Sequence, residues 1–148
     1  MSKHIFKRHN KNVMLYHLVC PVKYRRRAID DSVEETIKKT CLEIEKAYEV
    51  RFVEIGTDID HVHFLIQSVP AVLPSSIVQT IKSITAKQIF QNNPEVKQML
   101  WGGKFWTTGY YINTVGLHGN EQVIANYVKE QRKNYKQILR QQPRLFDF

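Results

Sequence analysis

The sequence predicts an α+β fold: a four-stranded antiparallel sheet of βαββαβ order with two helices on one face, the ferredoxin-like or RRM-like arrangement, followed by a C-terminal helix. Three observations predict it. β-rich runs and runs of helical spacing alternate in that order. Two of the β-rich runs, Arg51–Thr57 and His61–Ser68, are separated only by Asp58-Ile59-Asp60, which reads as a hairpin turn. Prolines and glycines stand where elements should begin or stop.

The first run, Asn12–Cys20, is β-rich and closed by Pro21, because proline cannot donate to a central ladder. Asp31–Glu49 follows with helical character. Ser32 reads as its N-cap and Glu35 as the partner in a capping box. Val33, Ile37, Leu42, Ile44 and Tyr48 form its apolar stripe. After the hairpin, Pro74-Ser75-Ser76 opens a second helix that runs to about Gln91, with Pro94 beyond its end. Lys104–Val115 reads as one long aromatic and β-branched strand after Gly102-Gly103. The last helix is expected over about residues 120–141, capped by Asn120 and stopped before Pro143.

The 148 residues suit one domain, with a basic tail over about residues 1–11. No apolar run reaches the roughly 20 residues of a membrane span. The first residues lack the apolar segment of a secretory signal, so a cytoplasmic location is expected. Cys20 and Cys41 are too few for a disulfide framework or a cysteine-based zinc site, and their apolar neighbours mark them as buried thiols. The net charge of +8 favours a polyanionic partner. Lys23, Arg25, Arg26 and Arg27 concentrate four positive charges, which read either as a solvated turn or as phosphate contacts.

His61-Val62-His63 carries the sharpest chemistry. Alternate residues of a strand share a face. His61 and His63 therefore point one way, and Val62, Phe64 and Ile66 the other. The apolar set belongs under the helices, which leaves both imidazoles on the open face. Neutral imidazole binds divalent metals well, and two ligands leave room for a phosphate. Asp60 reads as a turn residue or as an acceptor that orients an imidazole. On the last helix Tyr127 and Gln131 lie four apart on one apolar stripe. They read either as a nucleophile beside a metal-binding amide or as a core tyrosine with a glutamine bonded to backbone.

Together these motifs resemble the IS200/IS605-family transposases, the single-tyrosine members of the HUH endonucleases. The residues that carry the resemblance are Tyr16-His-Leu-Val-Cys-Pro-Val-Lys-Tyr-Arg-Arg26, His61-Val62-His63, Leu100-Trp-Gly-Gly-Lys-Phe-Trp-Thr-Thr-Gly-Tyr-Tyr111 and Tyr127-Val-Lys-Glu-Gln131. The resemblance implies an enzyme that cuts and rejoins single-stranded DNA at hairpins near the ends of an insertion sequence. His61, His63 and Gln131 would hold Mg²⁺ or Mn²⁺, and Tyr127 would attack the phosphate to leave a 5′-phosphotyrosine link. It also implies a homodimer in which the tyrosine helix of one subunit completes the histidine site of the other. Gly116 and Gly119 stand where a hinge for that helix would lie. Two other readings remain open. One is a non-catalytic single-strand binder that stacks bases on Phe105, Trp106, Tyr110 and Tyr111. The other is a nickase of the relaxase or replication-initiator type.

Overall fold

The computed structural model describes residues 14–100 and 102–116 and the backbone of 136–139. Strand β1 (Met14–Pro21) leads through a short 3-10 turn (Lys23–Arg25) into α1 (Asp31–Ala47). The hairpin of β2 (Val50–Asp58) and β3 (His61–Ser68) follows, then α2 (Pro74–Asn92) and the single turn α3 (Val96–Met99). Strand β4 spans Tyr111–Gly116, and β5 spans Lys136–Leu139. The sheet order is β4-β1-β3-β2-β5, with every described pair antiparallel. The first four strands are the sheet expected from the sequence, and β3 lies at its centre between β1 and β2.

Both helices cover one face, where period-2 and helical spacing meet in one core. Tyr16, Leu18 and Cys20 of β1, Phe52 and Ile55 of β2, and Val62, Phe64 and Ile66 of β3 pack there against Val33, Ile37, Cys41 and Ile44 of α1 and Ile77, Val78, Ile81 and Ile89 of α2. A buried side chain of this size contributes roughly 1.5–3 kcal/mol over its exposed state. Both cysteines are buried, as their neighbours suggested.

Four expectations change. Helix α1 is capped by Asp30, whose carboxylate accepts from the Val33 amide at 2.9 Å. Ser32 is already helical, and its hydroxyl accepts from the Asn93 amide at 2.6 Å, tying α1 to the end of α2. Tyr48 lies past the helix and is exposed. The long strand expected over 104–115 is only Tyr111–Gly116. Phe105 and Trp106 turn into the core instead, and the Trp106 indole N–H donates to Thr85 at 2.9 Å. Only a short stretch there pairs with the end of β1: Lys23 N–H donates to the Phe105 carbonyl and Thr107 N–H to that of Pro21. The Lys82 ammonium then takes the Thr107 and Thr108 carbonyls at 2.8 and 3.0 Å, which holds the chain off before β4 begins.

The fourth change concerns the chain's end. Residues 120–135 of the expected last helix lie outside the described residues, but Lys136–Leu139 is a strand. It pairs with Glu54–Thr57 of β2. That edge of β2 would otherwise present unpaired backbone groups. Edge pairing outweighs the amphipathic spacing that predicted helix there.

Candidate metal centre on the sheet

Strand β3 places the two histidines as strict alternation requires. Val62, Phe64 and Ile66 are fully buried in the helix-side core, so His61, His63 and Leu65 face the other way. On β1, Tyr16, Leu18 and Cys20 take the core side, which turns His17 and Val19 toward the histidines. The register sets Val19 opposite His63 and His17 opposite Leu65. His17 is thus the diagonal neighbour of His63. Its Nε2 lies 3.2 Å from His63 Nδ1, with the two rings perpendicular and 5.3 Å apart.

The face is not as open as its sequence suggests. His63 is only 3% exposed, and Leu15, Glu54, Leu65 and Gln67 are buried too. His61 is more accessible, at 16% for its side chain. Its Nδ1 lies 2.9 Å from Asp60 Oδ1. A carboxylate only accepts, so the shared proton sits on Nδ1 and the Nε2 of neutral His61 keeps its lone pair. Asp60 is therefore both the turn residue and the orienting acceptor. Its second oxygen accepts from Arg25 Nε at 3.2 Å, which links the basic segment to the histidine strand.

Gly56 on β2 faces His63 directly. A Cβ built there would stand 2.2 Å from His63 Nε2. The imidazole occupies the space that any other residue at position 56 would fill. Two imidazoles on one face, one with its ligating nitrogen set by a carboxylate and the other seated over a glycine, form a donor set suited to a divalent ion. Among the described residues no group of three or more His, Cys, Asp and Glu side chains is placed to hold one. Any further ligands to an ion held here would be of another type or come from outside the described residues. Gln131 and Tyr127 fall outside the described residues.

With this geometry in view, the family model for "Transposase IS200 like" matches residues 10–131. The chain belongs to this family. The transposase is 30% identical over 116 residues to the ISDra2 transposase TnpA of Deinococcus radiodurans, a match covering 78% of this chain and 82% of that one. It is 28% identical over 121 residues to the IS200 element transposase of Salmonella typhimurium, covering 82% and 78%. Among solved structures, a putative transposase from Deinococcus radiodurans superposes with a TM-score of 0.68 at 26% identity, over 92% of this chain and 99% of that one. A REP-associated tyrosine transposase bound to a REP hairpin shares the fold, with a TM-score of 0.55 at 12% identity over 90% and 75%.

Burial favours the neutral form of two of these imidazoles in the transposase, His63 and His17. Burial pushes His63 down to about 3, and the electrostatic influence of the neighbouring rings of His17 and His61 adds to it. Burial also lowers His17. The hydrogen bond from His61, helped by Arg25, holds Asp60 below its ordinary value despite partial burial. A neutral imidazole is the form that ligates metal.

The basic segment is a tight turn. Tyr24 and Arg25 adopt left-handed backbone angles, with φ of 58° and 51°. Arg25, Arg26 and Arg27 are exposed, and Lys23 lies 5.3 Å from the Tyr24 ring centre. Of the aromatics considered for stacking, Phe105 and Trp106 belong to the core, whereas Tyr110 and Tyr111 are exposed. Tyr111 pairs with Val19 and so shares the histidine face. Among the described residues, no helix is long and apolar enough to cross a membrane.

His17 was not among the candidate residues read from the sequence. Its signal was faint: a polar residue inside an apolar strand, at the parity that faces away from the helices. The β1–β3 register converts that parity into a contact.

Proposed function

We propose that this transposase cleaves and rejoins single-stranded DNA at the hairpin-bearing ends of its element, with Tyr127 as nucleophile. Two findings support the reading: the family match, and the shared face of His61 and His63, with His61 Nδ1 bonded to Asp60. In this scheme the Tyr127 oxygen attacks phosphorus, and the bond from phosphorus to the 3′ oxygen breaks. That oxygen leaves as a free 3′-hydroxyl after gaining a proton. The DNA stays joined to Tyr127 through its 5′ phosphate. Attack by a different 3′-hydroxyl reverses the step, so the phosphodiester is conserved and no nucleoside triphosphate is consumed.

His61 and His63, with Gln131, would hold Mg²⁺ or Mn²⁺. When bound, such an ion supplies charge stabilisation to the phosphoryl oxygens and orients the phosphate. Lys23, Arg26 and Arg27 serve as phosphate contacts in this scheme. Arg25 divides its charge between DNA and Asp60. The relative solved with a REP hairpin supports hairpin DNA as the ligand class. The protein acts as a homodimer in this reading, with the Tyr127 segment of one subunit serving the histidines of the other.

Incubating the protein with single-stranded hairpin DNA and Mn²⁺ tests the scheme. The expected product is a denaturant-resistant protein–DNA adduct that is lost in Tyr127→Phe. Undiminished cleavage by that variant refutes the nucleophile assignment. Tight binding without any adduct by the wild type favours the non-catalytic reading. Mixing Tyr127→Phe with His63→Ala subunits should restore activity if sites are shared. No recovery in proven heterodimers refutes that arrangement.

A further inference from the structure

The scheme above leaves one contact unused, the pair formed by His17 and His63. The shared proton of that pair has two possible seats. If His17 donates, the neutral His63 ring carries its own proton on Nε2 and cannot ligate through that atom. If His63 donates from Nδ1, its Nε2 keeps the lone pair. The nitrogen that matters is the one seated over Gly56, on the face shared with His61.

We propose that His17 is a positioning residue, which accepts a hydrogen bond from Nδ1–H of His63 and so holds the Nε2 lone pair of His63 ready for a divalent cation. The proposal rests on the metal reading given above, and it adds a residue to which no role has been assigned. The observation that carries it is the 3.2 Å contact between His17 Nε2 and His63 Nδ1. The arrangement repeats the one at His61, where Nδ1 faces Asp60 at 2.9 Å. The two imidazoles thus each have Nδ1 engaged by a neighbour, one by a carboxylate and the other by a neutral ring.

The support is also rigid. His17 stands inside β1, which is paired on both sides by β3 and β4. His63 is buried, and Gly56 closes one side of its ring. The backbone that carries His17 is thus held on both sides, and the His63 ring is packed against its neighbours. An outer partner of this kind fixes the tautomer and the orientation of a ligating histidine. Its loss typically weakens metal binding about 10- to 100-fold.

The test uses the full chain labelled with ¹⁵N at histidine, with no metal, near neutral pH. Long-range ¹H–¹⁵N correlation reports which nitrogen of each ring carries the proton. The His63 signals are assigned by their loss in His63→Gln. The wild type should show His63 protonated at Nδ1. His17→Gln places an amide oxygen where Nε2 stood, so it should keep that pattern. His17→Phe keeps the ring volume without an acceptor, so it should lose it. Titration with Mn²⁺ alone should then show about 10- to 100-fold weaker binding for His17→Phe, with His17→Gln within a few-fold of wild type. A wild-type His63 protonated at Nε2 overturns the proposal, whether or not the Phe variant folds. Equal Mn²⁺ affinity in a folded His17→Phe protein overturns it too. A wild type that shows the expected tautomer, dependent on residue 17, yet binds no Mn²⁺ overturns the metal reading instead.

Discussion

Replacing Gly56 with alanine should destabilise the protein, although the same change in an uncrowded strand would stabilise it. The added Cβ would stand 2.2 Å from His63 Nε2, 2.8 Å from Cε1 and 2.9 Å from Cδ2. Ordinary carbon contacts begin near 3.4 Å, so the ring and the strand must part by about 1 Å. The ring has little room to retreat, because it is buried and His17 stands at its Nδ1 edge. Overpacking of this kind costs about 1–3 kcal/mol. Without a clash, losing glycine's freedom in the unfolded chain would contribute roughly 0.4–1 kcal/mol in the other direction. The sign of the effect is therefore diagnostic. Urea unfolding followed by circular dichroism should show the loss, and the melting temperature should fall by about 2–4 °C per kcal/mol. In a His63→Ala background the obstacle is gone, and Gly56→Ala should become neutral or stabilising. A Gly56→Ala protein as stable as wild type refutes the reasoning. So does an equal loss in both backgrounds, since the clash would then lie elsewhere.

Other expectations follow from the same structure. His63 sits at about 3 when folded against an ordinary 6.5, so between these values the unfolded chain binds the extra proton. The stability it contributes is complete above 6.5 and is lost as pH falls toward 3, at up to roughly 1.4 kcal/mol per pH unit. Urea midpoints measured across that window should fall less steeply for His63→Gln, and parallel slopes would contradict the assignment. Removing the cap of α1 by Asp30→Ala should cost about 0.5–2 kcal/mol, whereas Ser32→Ala should leave the Val33 amide capped. A larger loss in helix stability from Ser32→Ala would return the cap to the position read from the sequence. Tyr111→Ala should weaken binding of a single-stranded oligonucleotide by about 1–3 kcal/mol if the exposed ring stacks on a base. Unchanged affinity would make it a bystander.

What the sequence disclosed about this site depends on the length scale of each cause. The shared face of His61 and His63 was legible because strand alternation is strict and Val62, Phe64 and Ile66 have one natural place. The start of α2 was legible because Pro74 is suited to the first turn and no competing cap precedes it. The start of α1 was not. Asp30, Asp31 and Ser32 all carry capping oxygens, and the choice depends on where the chain leaves the buried Ile29. Phe105 and Trp106 read as strand residues because aromatic residues favour strands. Their destination was set by a core they share with Phe90 and Thr85, which local propensity does not record. Lys136–Leu139 carried a helical spacing, yet the free edge of β2 decided its state.

His17 was missed for the same reason. Its partner is 46 residues away, and only the pairing of β1 with β3 makes them neighbours. A site composed across strands is invisible to a reading that proceeds one strand at a time. The tyrosine and glutamine were legible as a spaced pair, but their relation to the histidines is a question of tertiary placement and is tested by the adduct and mixing experiments.

The polar residues of the sheet explain why this site should be functional rather than incidental. The helix-side core is complete without them: its sheet contribution is Leu, Ile, Val, Phe, Tyr and Cys. On the other face Arg51, Glu54, His63 and Gln67 are each less than 7% exposed. Burying such groups costs several kcal/mol unless each finds good partners. Replacing such groups by well-packed apolar residues of similar volume is often neutral or stabilising. Ionisable groups in a shielded interior depart from the apolar pattern of the rest of the sheet, and functional sites are where such departures concentrate. The same shielding that makes His63 costly to bury also keeps it neutral. It excludes the water that would compete for a cation and strengthens any charge interaction made there. In the proposed scheme stability and chemistry therefore pull on His63 in opposite directions. Removing its ring together with its buried polar neighbours in favour of packed apolar groups should raise stability and abolish strand cleavage. A gain of stability with cleavage retained would show that the buried polar face serves the fold alone.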